Sequence, residues 1–60
     1  SMTCFPKDPA MLLSWTNMKL RDFYPDMESL CDDLCIDPDE IFGLLSQGGY
    51  EYDREHNKFI

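Results

Sequence analysis

Bases are scarce in this chain. Five Lys and Arg stand against twelve Asp and Glu, for a formal charge of -7. Binding of phosphate-rich partners rests on Lys and Arg contacts, so this balance disfavours nucleic acid and anionic membranes. Long apolar runs are also missing. Nothing approaches the stretch of about 20 residues that a membrane span needs, so a membrane is not expected as partner or location. A signal-peptide core is absent by the same test, and a cytoplasmic location is the expectation. There is one histidine and no glycine-rich phosphate loop, since Gly48-Gly49 follows a helical pattern instead of opening one. Length is short as well. Sixty residues allow one domain. A chain of this size buries only about 60% of its unfolded surface, so its core is marginal without a disulfide, a metal or a partner subunit.

What is present is a folding sequence. Hydrophobic residues make up 43% and aromatics 13%, too many for a disordered tail. Ser1 before Met2 reads as a tag remnant, with residues 1–7 as an extended lead-in and 8–60 as the single domain. Asp8-Pro9 starts a helix, with Asp8 as cap and Pro9 in the first turn. It is expected over about 9–24, where Pro25 stops it. Leu13, Leu20 and Tyr24 form its expected core stripe, with Leu12 and Phe23 on the flank. Asp26 caps a second helix over about 27–35, whose Met27, Leu30, Cys31 and Leu34 keep helical spacing. Asp37-Pro38-Asp39-Glu40 begins a third, over about 38–47, with Glu40 placed to close a capping box. Ile41, Leu44 and Leu45 are its buried stripe, and Gly48-Gly49 ends it. The period then changes. Tyr50 and Tyr52 alternate with acids, and Lys58-Phe59-Ile60 returns after a polar turn. A hairpin over about 50–60 follows, with Asp53 facing Lys58 and Tyr52 facing Phe59. The fold class is mainly α with a small β-hairpin, a three-helix domain like a miniature winged helix-turn-helix.

The stretches 6–14 and 17–24, beginning Pro6-Lys7-Asp8-Pro9 and Asn17-Met18-Lys19-Leu20, go with Ser29-Leu30-Cys31-Asp32-Asp33-Leu34. Gly49-Tyr50-Glu51-Tyr52-Asp53 and Asn57-Lys58-Phe59 complete the set. Together these resemble the short bacterial domain-of-unknown-function family 4250, over nearly the whole chain. The resemblance implies a small stand-alone bacterial protein in the cytoplasm. It implies no activity, so no site residue is carried over from it.

Catalytic chemistry finds little to work with. His56 sits in the polar turn, and adjacent acids on a helix diverge. No enzyme activity, catalytic residue, cofactor or metal is expected. Cys31 and Cys35 share one side of the second helix. They read as small apolar residues near the core, with a metal or redox pair as the sharper alternative. Their C-x-x-x-C spacing differs from the C-x-x-C of zinc and thioredoxin-like sites.

Two surfaces remain as candidates. Met11, Trp15 and Met18 lie roughly opposite the core stripe of the first helix. Either the chain ends fold back over them, or they form a subunit interface in a homodimer, or they line a peptide- or ligand-binding groove. The second surface is acidic. Segment 26–40 carries seven acids and no base, and the remainder of the chain is balanced. Its Asp32, Asp33, Asp39 and Glu40 suit a basic protein partner, or simply solubility. The expected function is therefore a non-enzymatic interaction module that self-associates. The alternative is a winged-helix nucleic-acid binder using the hairpin, with Lys7, Lys19, Arg21, Arg54 and Lys58 as its bases.

Overall fold

The computed structural model describes residues 3–60. Helix α1 spans Pro9–Asp22, α2 Met27–Leu34 and α3 Pro38–Gln47. Strands β1, Tyr52–Asp53, and β2, Lys58–Phe59, close the chain as a two-stranded antiparallel sheet. The fold is mainly helical with a small hairpin, as the sequence pattern predicts.

Local chemistry sets each boundary. Asp8, Asp26 and Asp37 take extended backbone and cap the three helices, accepting from the N–H groups of Met11, Ser29 and Asp39. The capping box expected at α3 takes another form, because the Glu40 carboxylate accepts from Lys7 Nζ at 3.1 Å. Helix α1 stops at Asp22, one or two residues short of expectation. The Lys19 carbonyl accepts from both Phe23 N (2.8 Å) and Tyr24 N (3.1 Å), which uses up the last turn before Pro25. Cys35 ends α2 in the left-handed conformation, at φ 56°. Gly49, at φ 85°, turns the chain out of α3. Gly48 is needed for a different reason: a Cβ there would lie 2.8 Å from Pro9 Cβ.

The core lies among all five elements. Leu12 and Leu20 of α1 meet Met27, Leu30 and Cys31 of α2, Ile36, Ile41 and Leu45 from the α3 side, and Phe59 of β2. The buried stripe of α1 is Leu12, Thr16 and Leu20, not Leu13, Leu20 and Tyr24. Leu13 and Tyr24 sit half-buried at its edge, and Phe23 is 66% exposed. An apolar pattern passes over Thr16, and the centre of the buried face lies on it. Its methyl belongs in the core, but its hydroxyl has no hydrogen-bond partner among the described residues. Burial without a partner costs about 1–3 kcal/mol.

The hairpin has the expected register, Tyr52 opposite Phe59 and Asp53 opposite Lys58. Glu51 and Ile60 exchange both backbone bonds at 2.9 Å. The next pair, Tyr52 and Phe59, is therefore of the non-hydrogen-bonded kind, and the Phe59 amide and carbonyl face away from β1. Asn17 of α1 takes both. Its side-chain oxygen accepts from Phe59 N at 2.8 Å and its amide donates to Phe59 O at 3.0 Å. Asn57, at φ 52°, donates its side-chain amide to the Leu20 (3.2 Å) and Tyr24 (3.0 Å) carbonyls. Its oxygen accepts from the Tyr52 hydroxyl at 2.5 Å. The hairpin is thus fastened to α1 by two asparagine side chains, and Phe42, Tyr52 and Phe59 stack behind it at centroid spacings of 5.2–6.2 Å.

Two substitutions test this packing by chemical denaturation. Thr16→Val removes the unpartnered hydroxyl at nearly constant volume and is expected to stabilise the fold by about 1 kcal/mol. Asn17→Ala leaves the Phe59 backbone unpaired and is expected to cost about 2 kcal/mol, at about 1 kcal/mol for each bond lost.

Candidate interaction surfaces

The outer face of α1 is the first surface. Met11, Trp15 and Met18 follow helical spacing along it. Met11 is 62% exposed, and Trp15 and Met18 are half-buried. The partial burial of Trp15 has an identifiable source. The lead-in, residues 3–7, runs back across the helices. Phe5 stacks on Trp15 with ring centroids 5.9 Å apart. Thr3 N donates to the Leu34 carbonyl at 3.3 Å, and Lys7 pairs with Glu40 at 3.1 Å. The lead-in therefore covers part of this face, and Met11 stays open beside it. Lys19 lies 5.5 Å from the ring centroids of both Trp15 and Phe23, so its charge rides over the aromatic edge of the patch.

The acidic surface is built from α2 and the start of α3. Asp32, Asp33, Asp39 and Glu40 are all exposed. Two of them have partners: Asp33 accepts from the Tyr24 hydroxyl at 2.5 Å, and Glu40 holds Lys7. The Tyr24 phenol is pushed up by that hydrogen bond to Asp33. Asp26 is held below the usual carboxylate range by the Ser29 backbone N–H, as its capping role requires. Asp53 is lowered chiefly by its hydrogen bond with His56, whose Nδ1 lies 2.7 Å away. Asp53 also accepts from Glu55 N and His56 N, so it organises the turn and does not pair with Lys58 across the strands.

The bases do not gather into one patch. Arg21 makes a two-bond pair with its neighbour Asp22, and Arg54 bonds Glu28 at 3.1 Å. With Lys7 on Glu40 and Lys19 over aromatic rings, Lys58 is left as the base without an acidic or aromatic partner among the described residues. A groove between α1 and the hairpin is lined by Asn17, Met18, Arg21, His56 and Lys58. It mixes one paired and one unpaired base with apolar wall, and its imidazole is tied to Asp53.

The thiols divide into two kinds. Cys31 is buried, and burial pushes its thiol up, with Glu28 and Asp37 adding to the shift. Cys4 and Cys35 are exposed. Among the described residues no three His, Cys, Asp or Glu side chains converge as metal ligands. No helix there is long and apolar enough to cross a membrane.

The comparison with known families fits this architecture. The model of the domain of unknown function DUF4250 matches residues 6–59, from the lead-in through the last strand. The chain belongs to the DUF4250 family. The match takes in Asn17, Asn57 and Phe59, the residues that dock the hairpin. No curated protein and no solved structure matches the chain.

The capping and turn acids generate a pH dependence. A carboxylate whose folded pKa lies below its unfolded value stabilises the fold above the unfolded pKa, and that stability is lost as pH falls through the folded one. For Asp26 and Asp53, both lowered from 3.8, the loss is expected below about pH 4. Urea midpoints measured against pH should fall steeply there in the parent. Asp26→Asn keeps a capping oxygen but cannot titrate, so its acid limb should be shallower.

Proposed function

We propose that this DUF4250 chain is a non-enzymatic interaction module that self-associates through the Met11, Trp15 and Met18 face of α1. The observation that carries the reading is the open apolar ridge beside a partial cover. Met11 is 62% exposed although it lies one turn from Trp15, and Phe5 is the aromatic cover on the tryptophan. The face also suits a second copy electrostatically. The seven acids of segment 26–40 account for the whole net charge, so an α1 face can approach its twin with little repulsion. Size adds a reason, since a 60-residue domain gains from burial it cannot supply alone. In the same reading, Asp32 and Asp39 are exposed and have no side-chain partner among the described residues, which suits them to meet a basic protein partner.

The competing reading, a nucleic-acid binder built on the helix and hairpin order, draws support from Lys58 on the hairpin. Against it, the other hairpin base, Arg54, is spent on Glu28.

Sedimentation equilibrium gives the direct test. The parent chain is expected at about twice its 7.1 kDa mass at high micromolar concentration. Met11→Glu changes an exposed side chain, so it should stay folded and shift the population to monomer. A parent that remains monomeric throughout, or a Met11→Glu variant that dimerises as well as the parent, overturns the proposal.

A further inference from the structure

Two of the three cysteines flank a backbone contact between the lead-in and α2. Cys4 follows Thr3, and Cys35 follows Leu34. The Thr3 N–H donates to the Leu34 carbonyl at 3.3 Å. That single bond brings the lead-in against the end of α2. Standard bond lengths then hold the Cα atoms of Cys4 and Cys35 within about 11 Å of one another. A disulfide needs about 4.4–6.8 Å. The lead-in has no regular secondary structure, so a change in its own backbone angles can close the difference without moving a helix. Both thiols are exposed to a reagent, and Cys31 is not.

We propose that Cys4 and Cys35 form a reversible disulfide that fastens the lead-in, with Phe5 on Trp15, to the end of α2. The oxidant is a low-molecular-weight disulfide. One cysteine, as thiolate, attacks it and expels one small thiol, leaving a mixed disulfide on the protein. The second cysteine attacks that bond and expels the other thiol. Each attacking sulfur gives up a proton and each leaving sulfur takes one. The protein loses two electrons and two protons, and the small disulfide is reduced to two thiols. Excess small thiol reverses the sequence.

The buried Cys31 is excluded by access, and burial also disfavours its thiolate, the attacking form. The bond matters because the lead-in rests on contacts that are individually weak. Its ion pair, Lys7 with Glu40, is solvent-exposed, and its aromatic contact with the helices among the described residues is Phe5 on Trp15. A covalent link at Cys4 would make the cover over Trp15 permanent while it lasts. It would also close a long loop, which is where a cross-link constrains the unfolded chain most.

The test uses the full chain with oxidised glutathione. Cleavage after Lys7, Arg21 and Arg54 separates the peptide with Cys4 from the peptide holding Cys31 and Cys35. The expected product is a chain lighter by two hydrogens, with those two peptides cross-linked. Its melting temperature should rise by roughly ten degrees over the reduced protein. Cys4→Ser and Cys35→Ser alter exposed side chains, and each is expected to carry only mixed glutathione adducts. The proposal is overturned by glutathione on both exposed cysteines without a cross-link, or by links between chains alone. It is equally overturned by an internal disulfide that survives in either variant, or by a cross-linked chain that melts no higher than the reduced one.

Discussion

Two asparagine side chains connect the end of this chain to its first helix, and the core depends on that connection. A hairpin with two residues in each strand cannot hold itself together in water. Its register leaves the Phe59 amide and carbonyl facing away from the partner strand, and Asn17 supplies the missing neighbour with one acceptor and one donor. A side-chain amide here does what a third strand would do. Once Phe59 is fixed, its ring closes the base of the core, a burial worth about 1.5–3 kcal/mol. Asn57 works from the other side of the turn. Its amide reaches the Leu20 and Tyr24 carbonyls, so the hairpin satisfies the end of the helix on which it rests.

The same docking decides which surfaces are free. With the hairpin covering one flank of α1, the core behind it and the lead-in crossing near Trp15, the remaining apolar exposure on α1 is concentrated at Met11 and around Phe23. The acids have been sorted to another side. Those of segment 26–40 cap α2 and α3 or line their outer turns, and Lys7, Arg21 and Arg54 are each spent on a single acid. The net negative charge thereby resides on α2 and the start of α3, not on α1. Self-association through α1 is compatible with this sorting, and binding of an anionic polymer is not favoured by it.

Elements whose determinants are local could be read from the sequence. The caps at Asp8, Asp26 and Asp37 and the exit at Gly48-Gly49 depend on neighbours within a few residues. The hairpin register follows from alternation and turn length alone. The face of α1 was harder, because Thr16 has a methyl that packs and a hydroxyl that should not, and a pattern of apolar residues passes over it. The asparagine bonds were out of reach. Asn17 and Phe59 are 42 positions apart, and nothing near either one signals a side chain standing in for a strand. At the α1 surface the pattern of Met11, Trp15 and Met18 leaves cover, interface and groove all open, and the structure places the lead-in over Trp15 without closing off Met11.

Amide hydrogen exchange at Phe59 tests the docking most directly. If Asn17 and the core hold β2 as described, the Phe59 N–H opens only when the whole domain unfolds. Its protection should then equal that of the buried helical amides at Leu20 and Leu45. Exchange at the rate of an unprotected chain end, while those helical amides remain protected, would contradict it.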